Sequence, residues 1–197
     1  MRPTRLAQHN SHISGRRDDL RGQIEKIVGL KGRLVWEVGS GHGHFLTAFS
    51  KAHPDQICVG VDIMSDRVTR ANRKRERARL PLLHFIRADA ADFLAVMPED
   101  TRFTSVFVLF PDPWPKRRHH KNRVMTADFL SAVAARTAKS ACLYFRTDHE
   151  EYFRSAAAIL RSHRDWMEQG DTTFPLEEPT VFQKRSVAHF TFVAKRR

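Results

Sequence analysis

The feature that most constrains this chain is a five-fold alternation of short apolar runs with amphipathic stretches, between about residues 34 and 164. The apolar runs at 34–39, 58–63, 82–89, 104–110 and 141–148 read as buried strands. Helical spacing follows each of them, at 45–52, 65–79, 91–97, 126–139 and 150–164. Strands and helices repeating in this order favour a mostly parallel sheet covered on both faces. After residue 165 the alternation stops, and two short candidate strands, 166–170 and 189–194, flank a Pro-bearing loop. The expected fold is therefore α/β, a doubly wound and mostly parallel seven-stranded sheet with an antiparallel C-terminal edge hairpin. Residues 1–15 lack apolar periodicity and read as a flexible or partner-ordered basic arm. A short amphipathic helix is expected over 16–29, and residues 16–197 read as one domain without internal repeats.

Charge narrows the partners. Lys and Arg number 34 against 22 Asp and Glu, a net of +12 over 197 residues. Such an excess favours a polyanionic partner, with nucleic acid ahead of a membrane surface or an acidic protein. The apolar stretch 103–110 is too short to span a bilayer, so no membrane association is expected. The basic N-terminus shows no apolar leader segment. Cys58 and Cys142 lie far apart in apolar runs and read as reduced thiols of a cytoplasmic protein. His42 and His44 form a His-x-His pair that nothing else completes, so no metal is expected.

The link between the first strand and the first helix is Glu37-Val38-Gly39-Ser40-Gly41-His42-Gly43-His44. Glycines here let the backbone turn sharply and approach a ligand at the carboxyl edge of the sheet. A dinucleotide fingerprint would need glycine at position 44, where His44 stands. The spacing E-x-G-x-G-x-G instead resembles doubly wound enzymes that bind S-adenosylmethionine. Acids end the next strands: Asp62, Asp89 and Asp112. Asp62 is placed to accept from ribose hydroxyls and Asp89 from an adenine amine. Each acid alone serves equally well as a cap for the following helix. Together with the glycines they favour a nucleoside pocket.

Phe110-Pro111-Asp112-Pro113-Trp114-Pro115 is the most unusual stretch. Three prolines fix φ and exclude helix or central strand, so a rigid loop leaves the fourth strand and holds Asp112 still. Trp114 either stacks on a base or anchors the loop. From Lys116 to Arg123 the chain carries five Lys or Arg and two His without an acid, a cluster suited to phosphates. The helix at 65–79 gathers Arg67, Arg70, Arg73, Lys74 and Arg77 within about 120°, opposite Met64, Val68, Ala71 and Ala78. That face is either a solvated surface or an RNA backbone track. Arg75 falls on the apolar side.

The Phe-Pro-Asp-Pro-Trp segment with its basic run closely resembles the signature of bacterial tRNA (guanine-N7)-methyltransferases. The resemblance extends over about residues 34–193 and includes Arg146-Thr147-Asp148. It implies a Rossmann-like methyltransferase fold, S-adenosylmethionine as cofactor, and tRNA as partner, methylated at N7 of a variable-loop guanosine. It implies cofactor contacts from Glu37, Gly39, Gly41, Gly43, Asp62, Asp89 and Asp112. It makes Asp112 the catalytic position, and Lys116 and Asp148 substrate contacts. The family's Thr-x-Phe-Glu motif is matched by Thr180-Val181-Phe182-Gln183, with an amide in place of the carboxylate. Thr180 and Gln183 are the remaining substrate candidates. A methyltransferase for another RNA or a small molecule, and a non-catalytic RNA-binding relative, stay open, as does the choice between monomer and homodimer.

Overall fold

Two parallel strands at the middle of one sheet, β1 (Arg33–Val38) and β4 (Arg102–Leu109), carry the architecture. The computed structural model describes residues 5–29, 32–170, 174–176 and 189–197. Beyond β1 lie β2 (Cys58–Asp62) and β3 (Leu83–Arg87), both parallel to it. Beyond β4 lies β5 (Thr137–Thr147), also parallel. The last two strands are β6 (Trp166–Gln169) and β7 (Phe190–Arg196). The order is β3-β2-β1-β4-β5-β7-β6, with β7 antiparallel to both neighbours. The seven-stranded sheet and C-terminal hairpin expected from sequence are present. The hairpin turns back on itself, so β7 fills the inner position and β6 forms the edge.

Among the described residues six α-helices cover the sheet: α1 (Arg5–Val28), α2 (His44–Ala52), α3 (Ser65–Ala78), α4 (Ala90–Val96), α5 (Ala127–Arg136) and α6 (Glu150–Ser162). Side chains of a strand alternate between faces, so neighbours in β1 enter different cores. Trp36 joins Leu20 and Ile24 of α1, Phe93 of α4, Leu130 of α5 and Tyr152 of α6. Val35 joins Phe45 and Phe49 of α2 and Val68 and Ala71 of α3 on the opposite face. Trp36 is fully buried, with the rings of Phe93 and Phe103 each centred 5.0 Å away. Burial on both faces is what makes β1 and β2 read as continuous apolar runs.

Several local readings shift. Helix α1 begins at Arg5, within the stretch expected as an arm, where a helix was expected only over 16–29. Its anchors are Leu20, Ile24 and Val28, an i, i+4, i+8 stripe buried in the core. Helix α5 stops at Arg136 because β5 already begins at Thr137. Met64 is exposed rather than part of the apolar stripe of α3. Arg75 lies half-buried, and with burial its charge holds the His84 imidazole down to about pKa 4. Cys58 is buried and Cys142 half-buried, both as free thiols.

Gly60 of β2 shows how closely the strands approach the loop after β1. A Cβ there would lie 2.7 Å from Phe85 Cδ1 and 2.8 Å from Ser40 Oγ. Gly60→Ala should therefore destabilise the fold by about 1–3 kcal/mol through overpacking. Urea titration would register this as a lower midpoint at unchanged slope; an unchanged midpoint would contradict the packing described.

Candidate active site

Because β1 to β5 run parallel, their carboxyl ends share one edge of the sheet. Read along the strand order β3-β2-β1-β4-β5, that edge carries Asp89, Asp62, Glu37, Asp112 and Asp148 at or just beyond each strand. Five carboxylates with no regular spacing in sequence thus become neighbours in strand order. Ligands of open α/β sheets bind at this edge.

The glycine loop is held from β2. Asp62 Oδ2 accepts from Gly41 N–H at 2.9 Å and Oδ1 from Met64 N–H at 2.8 Å. Ser40 N–H donates to Val61 O at 2.9 Å, a second tie between the same two segments. Asp62, assigned by resemblance to the cofactor, therefore already fixes two backbone segments. Its remaining lone pairs are those open to a ligand. Gly41, at φ 52°, has open space where a Cβ would sit. Gly43, at φ 68°, opens α2, and a Cβ there would meet the ring of Phe85 and lie 2.9 Å from Ala71 Cβ. Gly41 leaves room for a ligand, whereas Gly43 leaves room for the second core.

Glu37 is the least comfortable group at this edge. It is 4% exposed, and its Oε2 has no hydrogen-bond partner among the described residues. Burial raises its carboxyl pKa to about 8, against the pull of the Leu46 backbone N–H; the charge of Asp62 adds to the rise and that of Lys74 opposes it. Ser40 Oγ is likewise buried and unpartnered. Both line a cleft of about 100 Å³ with Gly39, Gly41, His42, Arg67 and Phe110. A buried carboxyl oxygen and a hydroxyl without partners are costly unless a ligand satisfies them. A charged amino-acid group fits that requirement, so these residues suit the amino-acid end of S-adenosylmethionine.

A second cleft, about 430 Å³, lies along the ends of β2 and β3. It is lined by Ile63, Arg87, Ala88, Asp89 and Asp92, with Arg16, Arg17 and Leu20 of α1 as its outer wall. Arg17 closes it from outside through an ion pair to Asp92 at 2.7 Å. Asp89 caps α4 by accepting from Ala91 N–H at 2.8 Å with Oδ1. Capping and pocket lining, posed as alternatives in the sequence, are both met by this one residue. Ile63 is 62% exposed and offers an apolar face beside a carboxylate, a combination that suits an adenine ring.

The Pro-Asp-Pro-Trp loop is strained at both ends: Phe110 has φ 50° and Trp114 φ 44°. Non-glycine residues adopt such angles only where their surroundings over-determine them. The strut is Arg123. It was grouped from sequence with the phosphate-binding run, yet it is buried and points inward. Its Nε donates to Pro113 O at 2.8 Å, and its two terminal nitrogens clasp Glu151 at 3.2 and 2.5 Å. The guanidinium also lies 4.7 Å from the Tyr152 ring centre. Hydrogen bonding from Arg123 holds the Glu151 carboxyl below its ordinary pKa. The bidentate fork, which lysine lacks, explains why arginine stands here.

Asp112 stands exposed at the crest of this loop, and Lys116, also exposed, precedes a 3-10 helix at Arg117–Asn122. Trp114 is half-buried, its ring edge-on to His119 at 5.9 Å, which supports an anchoring role. Asp148 is exposed just past β5. Thr180 and Gln183 lie outside the described residues. Phe174 is buried with its ring centre 4.0 Å from the Arg146 guanidinium. Among the described residues no three His, Cys, Asp or Glu are grouped as metal ligands. No helix there is long and apolar enough to cross a membrane.

Glu37 makes a pH-dependent prediction. Its carboxyl loses its proton near pH 4.5 when unfolded but near 8 in the fold. Its contribution to stability is therefore full below pH 4.5 and lost as pH rises to about 8, at up to about 1.4 kcal/mol per pH unit. Glu37→Gln should flatten the fall in Tm of the unliganded chain between pH 5 and 8 and leave the variant the more stable protein at pH 8. Parallel Tm curves for variant and wild type would contradict the burial described.

Comparison with known proteins agrees with this geometry. The family model described as "Putative methyltransferase" matches residues 31–190. Similar proteins include a tRNA (guanine-N(7)-)-methyltransferase of Thermotoga maritima, 29% identical over 76% of this chain and 54% of that protein. One of Rhodococcus jostii is 36% identical over 68% of this chain and 54% of that protein. One of Lacticaseibacillus casei is 32% identical over 75% and 69% respectively. The chain spans about half the length of the first two. Among solved structures, the aminoglycoside resistance methyltransferase NpmB1 superposes with a TM-score of 0.60 at 15% identity, over 90% of this chain and 93% of that one. TrmN from Thermus thermophilus gives 0.60 at 14% identity, over 90% and 48%. At such identities the two structures speak for the fold alone. With its glycine loop, its acid-lined strand ends and a family match over most of its length, the chain belongs to this methyltransferase family.

Proposed function

We propose that this chain methylates guanine N7 in tRNA, using S-adenosylmethionine as the methyl donor. The observation that carries the reading is the pairing of a buried Glu37, one of whose oxygens lacks a partner, beside the glycine loop with an exposed Asp112 one strand away on a strained, buttressed loop. The first suits a cationic cofactor group; the second suits a site where positive charge develops. The choice of tRNA and of N7 follows the names of the similar proteins from Thermotoga, Rhodococcus and Lacticaseibacillus. The net charge of +12 supports a nucleic-acid substrate.

The cofactor supplies an electrophilic methyl group on a sulfonium. Guanine N7 carries an in-plane lone pair and no proton, so the N–C bond forms as the S–C bond breaks and no general base is required. Positive charge then appears on the purine. Asp112 stabilises that charge electrostatically, and the Arg123 strut fixes where its carboxylate stands. Glu37 receives the ammonium of the cofactor's amino-acid end, Asp62 and Asp89 the hydroxyls and adenine of its nucleoside. Asp148, beyond β5, accepts from guanine N1–H and the exocyclic amine, a donor pair that adenine lacks. Lys116 holds a neighbouring phosphate.

Incubation of the purified chain with tRNA and S-adenosylmethionine, followed by nucleoside mass spectrometry, should yield 7-methylguanosine. Asp112→Ala should lower its rate of formation on the order of 10²-fold, as removal of a preorganised charge at a transition state does. Methylation at another atom, or none at all, would overturn the reading.

A further inference from the structure

We propose that the exposed basic row on α3 is the track along which the RNA backbone runs towards the site. This rests on the reading of the chain as an RNA methyltransferase. Arg67, Arg70, Arg73 and Arg77 are all exposed, and Lys74 is half-buried among them. At 1.5 Å per residue the row spans about 15 Å, too long for a single phosphate and suited to a run of them.

The distinguishing observation is that the row beyond Arg67 makes no ion pair among the described residues. Several arginines elsewhere are paired with acids: Arg17 with Asp92, Arg123 with Glu151, Arg154 with Glu150, Arg161 with Glu168 and Arg196 with Asp165. Among the described residues no acid lies within ion-pair range of Arg70, Arg73 or Arg77. The acids of α3 are Asp66 and Glu76, and Glu76 faces Arg75, off the row, at 3.5 Å. Like charges at i, i+3 and i, i+4 repel and weaken a helix. Burial, and next the charge of Arg77, hold the Lys74 ammonium below its ordinary pKa. A polyanion relieves this repulsion and releases its own counterions in doing so.

The row also meets the site. Arg67, at its head, lines the cleft beside Glu37 and lies 3.7 Å from Asp62. Lys74 donates from Nζ to His42 O in the glycine loop at 2.8 Å. Across the groove between α2 and α3, Lys51 joins Lys74 and Arg77 and widens the basic strip. Backbone contacts of this kind set position and register while the strand-end acids read the base.

The test compares wild type with R70Q/R73Q/R77Q, which spares the cleft residue Arg67 and the loop-bound Lys74. R154Q/R161Q/R164Q, on α6 and in the turn just after it, serves as a control for loss of net charge. Binding of a tRNA transcript is followed by fluorescence anisotropy across a KCl series, alongside steady-state methylation. The row variant should lose about 2–3 from the slope of log affinity against log salt and raise KM for tRNA roughly tenfold or more. Its kcat at saturating tRNA and its affinity for S-adenosylmethionine should stay at wild-type values, and its melting temperature should not fall. The control should keep the wild-type slope. A row variant with unchanged slope and affinity overturns the track, as does a control that loses as much. So does a wild type whose row binds anionic lipid vesicles but not tRNA. A wild type that binds tRNA with the row-dependent slope yet forms no 7-methylguanosine upholds the track and overturns the enzymatic reading.

Discussion

Asp62 is the constraint on which the site depends. Its two carboxylate oxygens accept from the backbone amides of Gly41 and Met64, joining the loop after β1 to the loop after β2. Ionic hydrogen bonds of this type are stronger than neutral ones, and here they sit at a nearly buried position. Without them the glycine loop has only the Ser40 amide to hold it to β2. The cleft beside Glu37 is lined by that loop, by Arg67 and by Leu109 and Phe110 at the end of β4. Packing reinforces the same geometry from below, where Gly43 and Gly60 leave just enough room for the Phe85 ring.

The other half of the site is built on the opposite principle. Asp112 has little around it, and its position is set by a backbone that proline, strain and Arg123 leave no freedom to move. One carboxylate is buried and short of a partner, the other exposed on a rigid support. The first arrangement suits binding of a cation already charged; the second suits stabilisation of charge that appears only during reaction.

How much of this was legible in the sequence differs from residue to residue. The strands were legible because burial on both faces makes β1 and β2 unbroken apolar runs, and the glycine loop because three glycines at alternate positions directly follow the first of them. The strand-end acids were legible as a set, since a parallel sheet brings its carboxyl ends to one edge whatever the separation along the chain. Helix α1 was read short because residues 5–15 carry no apolar periodicity in the sequence. Arg123 was misgrouped for a different reason. In sequence it is one basic residue among several, and its inward direction depends on Glu151 and Tyr152, about 28 positions later in the chain. The double duty of Asp89 and the prior engagement of Asp62 are likewise facts of hydrogen-bond geometry, which residue type alone does not specify.

The most direct test of the site is a proton count on cofactor binding. Titration calorimetry of S-adenosylmethionine into wild-type chain at pH 7, in buffers of different ionisation enthalpy, reports protons released per molecule bound. Glu37, with its pKa raised to about 8, is protonated at that pH before binding and ionises when it meets an ammonium group. Wild type should therefore release about one proton, and Glu37→Gln should bind more weakly with none released. Saturable binding without proton release in the wild type, or an unchanged release in Glu37→Gln, would contradict the role given to this buried carboxyl.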